Sequence, residues 1–154
     1  MSADGRAGPR LVALDPAWDE AAADLWVEAW RATMPALDFA ARRPWILARL
    51  AKARSEGELV RAAVDADGRP LGFLTLRPSD GHVDQICVAR RAWGAGVAGA
   101  LLADAANLSQ SALHLTVNAD NVRARAFYAR EGFAELGPGP PSPAGLATVR
   151  LRRG

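Results

Sequence analysis

The stretch His82-Val-Asp-Gln-Ile-Cys-Val88, Ala89-Arg-Arg-Ala-Trp93, Gly94-Ala-Gly-Val-Ala-Gly99 decides the fold. Its first part alternates, with His82, Asp84, Ile86 and Val88 on one side and Val83, Gln85 and Cys87 on the other, which is the period of a strand. From Trp93 to Ser109 the period becomes helical, with Val97, Leu101, Ala105 and Leu108 on one side. A strand that passes through glycines into a helix leaves the first amides of the helix without internal partners, where the dipole favours negative charge. Glycine and alanine there let a diphosphate reach the amides, because a larger side chain would hold it off. The same small residues also let a helix pack closely on a sheet, so the run does not decide function by itself.

Downstream, residues 113–117 read as a strand, 122–130 as a helix, and Gly132-Phe133 opens another strand. Prolines and glycines across residues 137–145 remove donors and loosen the chain, giving a long loop before a final strand at 146–152. A helix of about 14 residues and a strand of about six each cover roughly 20 Å. The strand at 113–117 therefore returns parallel to the one ending at Val88, and Asn118 and Asn121 come to lie beside Gly94 to Gly99.

Upstream, Asp15-Pro16 marks a helix start, Trp18, Ala22, Leu25, Trp26 and Ala29 keep helical spacing, and Pro35 ends it. A second helical region covers about residues 38–55, with Pro44 interrupting it, Ile46, Leu50 and Ala53 on one face, and Gly57 as its stop. Residues 58–64 and 71–77 form a hairpin around Asp65-Ala-Asp-Gly68. The expected fold is α/β (α+β), one domain over residues 11–154 after a flexible N-terminus at 1–10. Its mixed sheet has about six to seven strands, with two N-terminal helices and two further ones.

The 154 residues suit one core, and the charge of +2 is scattered rather than gathered into the basic stripe of a nucleic-acid binder. Neither a membrane-length apolar run nor a secretory stretch in Met1 to Arg10 is seen, so the expectation is a soluble cytoplasmic protein with no membrane partner. The single cysteine, Cys87, forms no internal disulfide or zinc site and reads as packing, and no metal is expected.

These residues resemble the GNAT superfamily of N-acetyltransferases, whose turn reads Gln/Arg-x-x-Gly-x-Gly/Ala before an Ala-Leu-Leu-like helix. The matching register is Trp93-Gly94-Ala95-Gly96-Val97-Ala98, followed by Gly99-Ala100-Leu101-Leu102, with Trp93 in place of the usual first residue. The stretch from His82 to Val88 looks like the family's fourth strand, and Asn121-x-x-Ala124-x-x-Phe127-Tyr128-x-x-x-Gly132-Phe133 is similar to its second signature. The resemblance implies a single GNAT-like domain that uses acetyl-coenzyme A to acetylate a primary amine. It implies that the backbone of Ile86, Cys87 and Val88 meets the pantetheine arm, with a distortion after Val88 opening a gap for it. Trp93 to Gly99 then hold the diphosphate, and Asn121, Phe127 and Tyr128 complete the coenzyme site. Trp93 and Ala95 stand where the family often carries polar or basic residues, so Arg90 and Arg91 become candidates for the phosphates.

An alkylammonium has a pKa near 10 and must lose a proton before it attacks a thioester. Asp84 is the first candidate base, on the ground that strand alternation puts it on the side of Val88, and His82 follows on the same face. The Val88 amide is placed to stabilise the oxyanion, and the resemblance gives Tyr128 the role of protonating the leaving thiolate. His114 reads as a packed or surface histidine. Trp30, Met34, Trp45 and the loop at 137–145 are candidates for the acceptor pocket, for a small-molecule or peptide amine. A homodimer is among the assembly states the sequence leaves open.

Two other readings stand beside this one. Gly94-x-Gly96-x-x-Gly99 with Asp120 downstream also spells a dinucleotide (NAD/FAD) fingerprint, but five residues separate Val88 from Gly94 and about 90 residues precede a motif that normally opens its domain. The third is a non-catalytic acyl-coenzyme A-binding module of the same fold.

Overall fold

The computed structural model describes residues 8–154. In chain order the elements are β1 (Arg10–Ala13), α1 (Asp19–Thr33), α2 (Arg43–Ser55), β2 (Leu59–Val64), β3 (Pro70–Arg77), β4 (His82–Val88), α3 (Val97–Leu108), β5 (Leu113–Asn118), α4 (Val122–Arg130), β6 (Phe133–Pro138) and β7 (Thr148–Arg153). The strands form one sheet in the order β1-β2-β3-β4-β5-β7-β6. Among the described residues only β4 and β5 pair in parallel. A dinucleotide fingerprint needs an open, mostly parallel sheet, so this topology overturns that reading. Among the described residues no helix is long and apolar enough to cross a membrane.

Helices α1 and α2 cover one face of the sheet, where Trp26, Ile46, Leu50, Phe73 and Cys87 pack together. Helix α3 covers the other, through Leu74, Leu76, Leu101, Leu102 and Ala105. Each fully buried leucine contributes about 1.5–3 kcal/mol relative to an exposed one.

Several sequence expectations shift here, for local reasons. Strand β1 was not expected: at four residues it is too short to show alternation, and it takes in Arg10, so the expected flexible terminus otherwise falls mainly on residues 1–7, outside the described chain. Pro44 does not interrupt a helix but stands in the first turn of α2, where its missing N–H removes nothing. The segment before it is a 3-10 turn over Ala40–Arg42, and the Asp38 carboxylate accepts from the Ala41 amide at 3.1 Å. Helix α3 begins at Val97 rather than Trp93, because Gly94 and Gly96 hold positive φ values of 81° and 79° that end one turn and cap the next. Strand β6 takes in Gly137 and Pro138, so the loop that precedes β7 begins at Gly139.

The largest departure lies inside β4. Leu74 faces Ile86 and Leu76 faces Val83, so two residues, Asp84 and Gln85, stand opposite Thr75 alone. This is a β-bulge, and the Gln85 amide is satisfied by the Thr75 hydroxyl at 3.0 Å. The extra residue reverses the alternation. Val83 packs against the α3 side and Cys87 against the α1 side, although unbroken alternation puts them on one face.

Candidate active site

Strands β4 and β5 share a single register pair, His82 with His114, and then part. Cys87 stands opposite Phe73, and the Ala89 amide donates to the Leu71 carbonyl at 2.8 Å. Backbone groups alternate in direction along an antiparallel pair, so those of Ile86 and Val88 point away from β3 into the split. The distortion expected after Val88 therefore lies earlier: the bulge is at Asp84-Gln85, and the strands separate beyond His82. The Val88 carbonyl accepts from the Trp93 indole Nε1 at 2.9 Å, which fixes the ring beside the split.

Past Val88 the chain makes a 3-10 turn over Arg90–Ala92 and enters the glycines. The amides of Gly94, Gly96, Val97, Ala98 and Gly99 donate to no backbone acceptor among the described residues. A Cβ at Gly94 or Gly96 would meet nothing within 4 Å, whereas one at Gly99 would come 3.4 Å from Glu131 Oε1. A cavity of about 400 Å³ lies against this row of amides, bounded by Ile86, Cys87, Val88, Trp93, Asn121, Phe127 and Tyr128 as well as the glycines. Ala95 is the one residue of the expected coenzyme set outside this lining, and it is exposed.

Arg90 and Arg91, the candidates for phosphate contact, also lie outside it, and Arg91 comes within 4.0 Å of Asp65. Arg123 and Arg130 line the cavity instead, and the Arg123 guanidinium sits 4.8 Å from the centre of the Trp93 ring. Their separation of seven residues on α4 puts them on one helical face, but in an arginine-rich chain that spacing did not stand out. Asn121 caps α4, its side-chain oxygen accepting from the Ala124 amide at 3.1 Å, which aims the first turn of α4 at the split. Tyr128 packs edge-on between Phe127 and Phe133, with ring centres 5.1 and 5.3 Å away. Burial pushes its phenol well above its ordinary pKa, so it stays protonated at neutral pH.

A second cavity of about 570 Å³ adjoins the first, sharing Ile86, Val88, Trp93 and Tyr128 and adding His82, Asp84 and Arg49. The bulge corrects the ground on which Asp84 was chosen. His82, Asp84 and Gln85 lie on the α1–α2 side, whereas Ile86 and Val88 lie on the α3 side, so Asp84 does not share a face with Val88. Asp84 instead accepts from Arg49 Nε at 2.8 Å and from Gln85 Nε2 at 3.2 Å. The other arm of Arg49 reaches the buried Glu58 at 3.1 Å. His82 stacks on His114 with ring centres 4.9 Å apart. Burial first, then the charges of His114 and Arg77, push the His82 imidazole below its ordinary value against the pull of Asp84. Cys87 is buried with its thiol pKa pushed up by burial, which leaves it inert.

The model of the acetyltransferase (GNAT) family matches residues 16–133. A GCN5-related N-acetyltransferase from Rhodopseudomonas palustris is similar at 25% identity and a TM-score of 0.72, over 96% of both chains. The apo form of YjaB from Escherichia coli is similar at 21% identity and a TM-score of 0.75, over 93% of this chain and 95% of that one. PaiA N-acetyltransferase from Thermoplasma acidophilum, solved in complex with coenzyme A, is similar in fold at 15% identity and a TM-score of 0.72, over 94% of this chain and 98% of that one. No curated protein sequence is a significant match.

Proposed function

The chain belongs to the acetyltransferase (GNAT) family, and from that premise we propose that it transfers an acetyl group from acetyl-coenzyme A to a primary amine by direct attack. The observation that carries this reading is the row of five amides at Gly94, Gly96, Val97, Ala98 and Gly99 that have no backbone partner among the described residues and line a cavity continuous with the β4–β5 split. Such a row fits a diphosphate, and the split fits an extended amide-bearing arm that pairs with the exposed backbone of Ile86 and Val88.

Gly94, Gly96, Val97, Ala98 and Gly99 bind the diphosphate through their amides, and Arg123 and Arg130 add positive charge beside it. Ile86 and Val88 hold the arm, which brings the thioester toward Tyr128. The amine enters from the cavity that holds His82 and Asp84. Asp84, fixed by Arg49, attracts the ammonium, and His82, kept neutral by burial, accepts its proton directly or through water. The nitrogen lone pair forms a bond to the thioester carbon. The Val88 amide stabilises the negative charge that develops on the carbonyl oxygen. The carbon–sulfur bond then breaks, the Tyr128 hydroxyl gives its proton to the departing thiolate, and the proton that the newly bonded nitrogen sheds to become an amide returns through water to the phenolate.

Coenzyme release from acetyl-coenzyme A, followed with an amine panel in wild type and Tyr128→Phe, tests the proposal. The expected result is a fall in kcat of about 100-fold or more, with coenzyme A affinity held within about twofold. Unchanged turnover removes Tyr128 from the mechanism. Coenzyme binding with no turnover across the whole panel would instead establish the non-catalytic module.

A further inference from the structure

A third cavity, of about 350 Å³, opens beyond the one that holds Asp84 and shares Trp30, Trp45, Gln85, Asn118, Ser142 and Pro143 with it. Its body is aromatic. Trp30 stacks on Phe39 with centres 5.6 Å apart, Trp26 meets Phe39 edge-on at 5.5 Å, and Trp45 lies against Trp26 at 5.9 Å. Trp45 keeps 44% of its surface exposed, although a tryptophan of α2 is expected to bury itself in the core. Its ring faces the cavity instead of the sheet.

Charge in this cavity has a fixed order. At the inner end, toward β4, Trp26 Nε1 donates to Gln85 Oε1 at 3.2 Å, and Gln85 Nε2 donates to Asp84 at 3.2 Å. The carboxylate, which shares the Arg49 cation with Glu58, is thereby held where the aromatic cavity meets the β4–β5 split. At the outer end the only charged side chain of the lining is Arg42, whose guanidinium lies 5.4 Å over the Phe39 ring. A ligand that fills the space puts an ammonium beside Asp84, an apolar or aromatic body among the tryptophans, and no cation near Arg42.

Resting on the transferase reading above, we propose that the amine acceptor is an arylalkylamine: one primary ammonium on an aromatic body, with no second positive charge. Polyamines, aminoglycosides and lysine-rich peptides carry a second cation, and a cation brought into the aromatic cavity meets the like charge of Arg42 there. The aromatic body also desolvates against Trp30, Phe39 and Trp45, which a polycation cannot do without burying charge.

Calorimetry of the coenzyme A-saturated protein with 2-phenylethylamine and with spermidine tests this. Wild type is expected to bind 2-phenylethylamine at least tenfold more tightly than spermidine. Trp45→Ala is expected to weaken 2-phenylethylamine at least tenfold, with Trp45→Phe restoring most of the loss, and Arg42→Glu to narrow the preference at least tenfold. Spermidine binding as tightly as 2-phenylethylamine, neither amine binding, or a preference unmoved by Arg42→Glu overturns the proposal. Coenzyme A titrated in the same experiment separates the two failures: coenzyme bound with the aromatic amine ignored sinks only the substrate class, whereas no coenzyme binding sinks the transferase reading beneath it.

Discussion

Gly57 and Gly96 offer a matched pair for testing the amide row, because both hold φ at 79° and a Cβ at either would meet nothing within 4 Å. Alanine at each position pays only the left-handed strain, about 1–2 kcal/mol. For a domain of this size that corresponds to a fall in Tm of roughly 2–8 °C. Gly57 follows α2, away from the cavity beside the glycine turn, whereas Gly96 lines it. A methyl group at Gly96 keeps a diphosphate oxygen from its amides, and losing one charge-assisted hydrogen bond costs about 1.5–3 kcal/mol. Coenzyme A affinity should then fall roughly 10- to 100-fold in Gly96→Ala and stay within about twofold of wild type in Gly57→Ala. The assays are thermal denaturation without ligand and calorimetric titration with coenzyme A. Equal losses of stability with unchanged affinity in both variants would refute the assignment of the diphosphate to this turn.

The depressed His82 pKa has a definite sign. In the window below about 6.5 the unfolded chain binds the proton that the folded chain refuses, so stability rises with pH there. His82 costs nothing above that window and destabilises as pH falls through it. Denaturation midpoints of wild type and His82→Gln from pH 7.5 to 5 should diverge, with wild type losing more; parallel curves would contradict the lowered pKa of the half-buried imidazole. The acid limb of kcat/KM should lie below about 6.5 and move in the same variant, and an unmoved limb would assign the base elsewhere. Arg49→Met leaves the buried Glu58 and the exposed Asp84 without their shared cation. Urea unfolding should show a loss of about 3 kcal/mol, and a loss under about 1 kcal/mol would mean that the carboxylates find other partners.

The motif residues and the topology around them were legible from local signals. Strand alternation, the helical period after Gly96 and the turn residues of the Asp65–Gly68 hairpin each depend on neighbours in sequence, and a glycine's positive φ is a property of one residue. The cavity beside the glycine turn followed from them because a helix and a returning strand of matched length must bring Asn121 back beside Gly94. Strand β1 was lost because four residues with one apolar pair carry too little pattern to stand out.

What the sequence by itself determined is the unbranched part of the site: small residues at a helix start, a tyrosine on α4, and the family those patterns mark. Only the tertiary structure decided which way the side chains of β4 point. A bulge costs one residue of register, and its presence at Asp84-Gln85 depends on Thr75 of the neighbouring strand, which no alternation within β4 can report. The same holds for the partners of Asp84, since the distance from Arg49 to Asp84 and Glu58 is set by how α2 lies on the sheet. Charge pairs and pocket walls are sums over distant segments, and a chain fixes them only once it has folded.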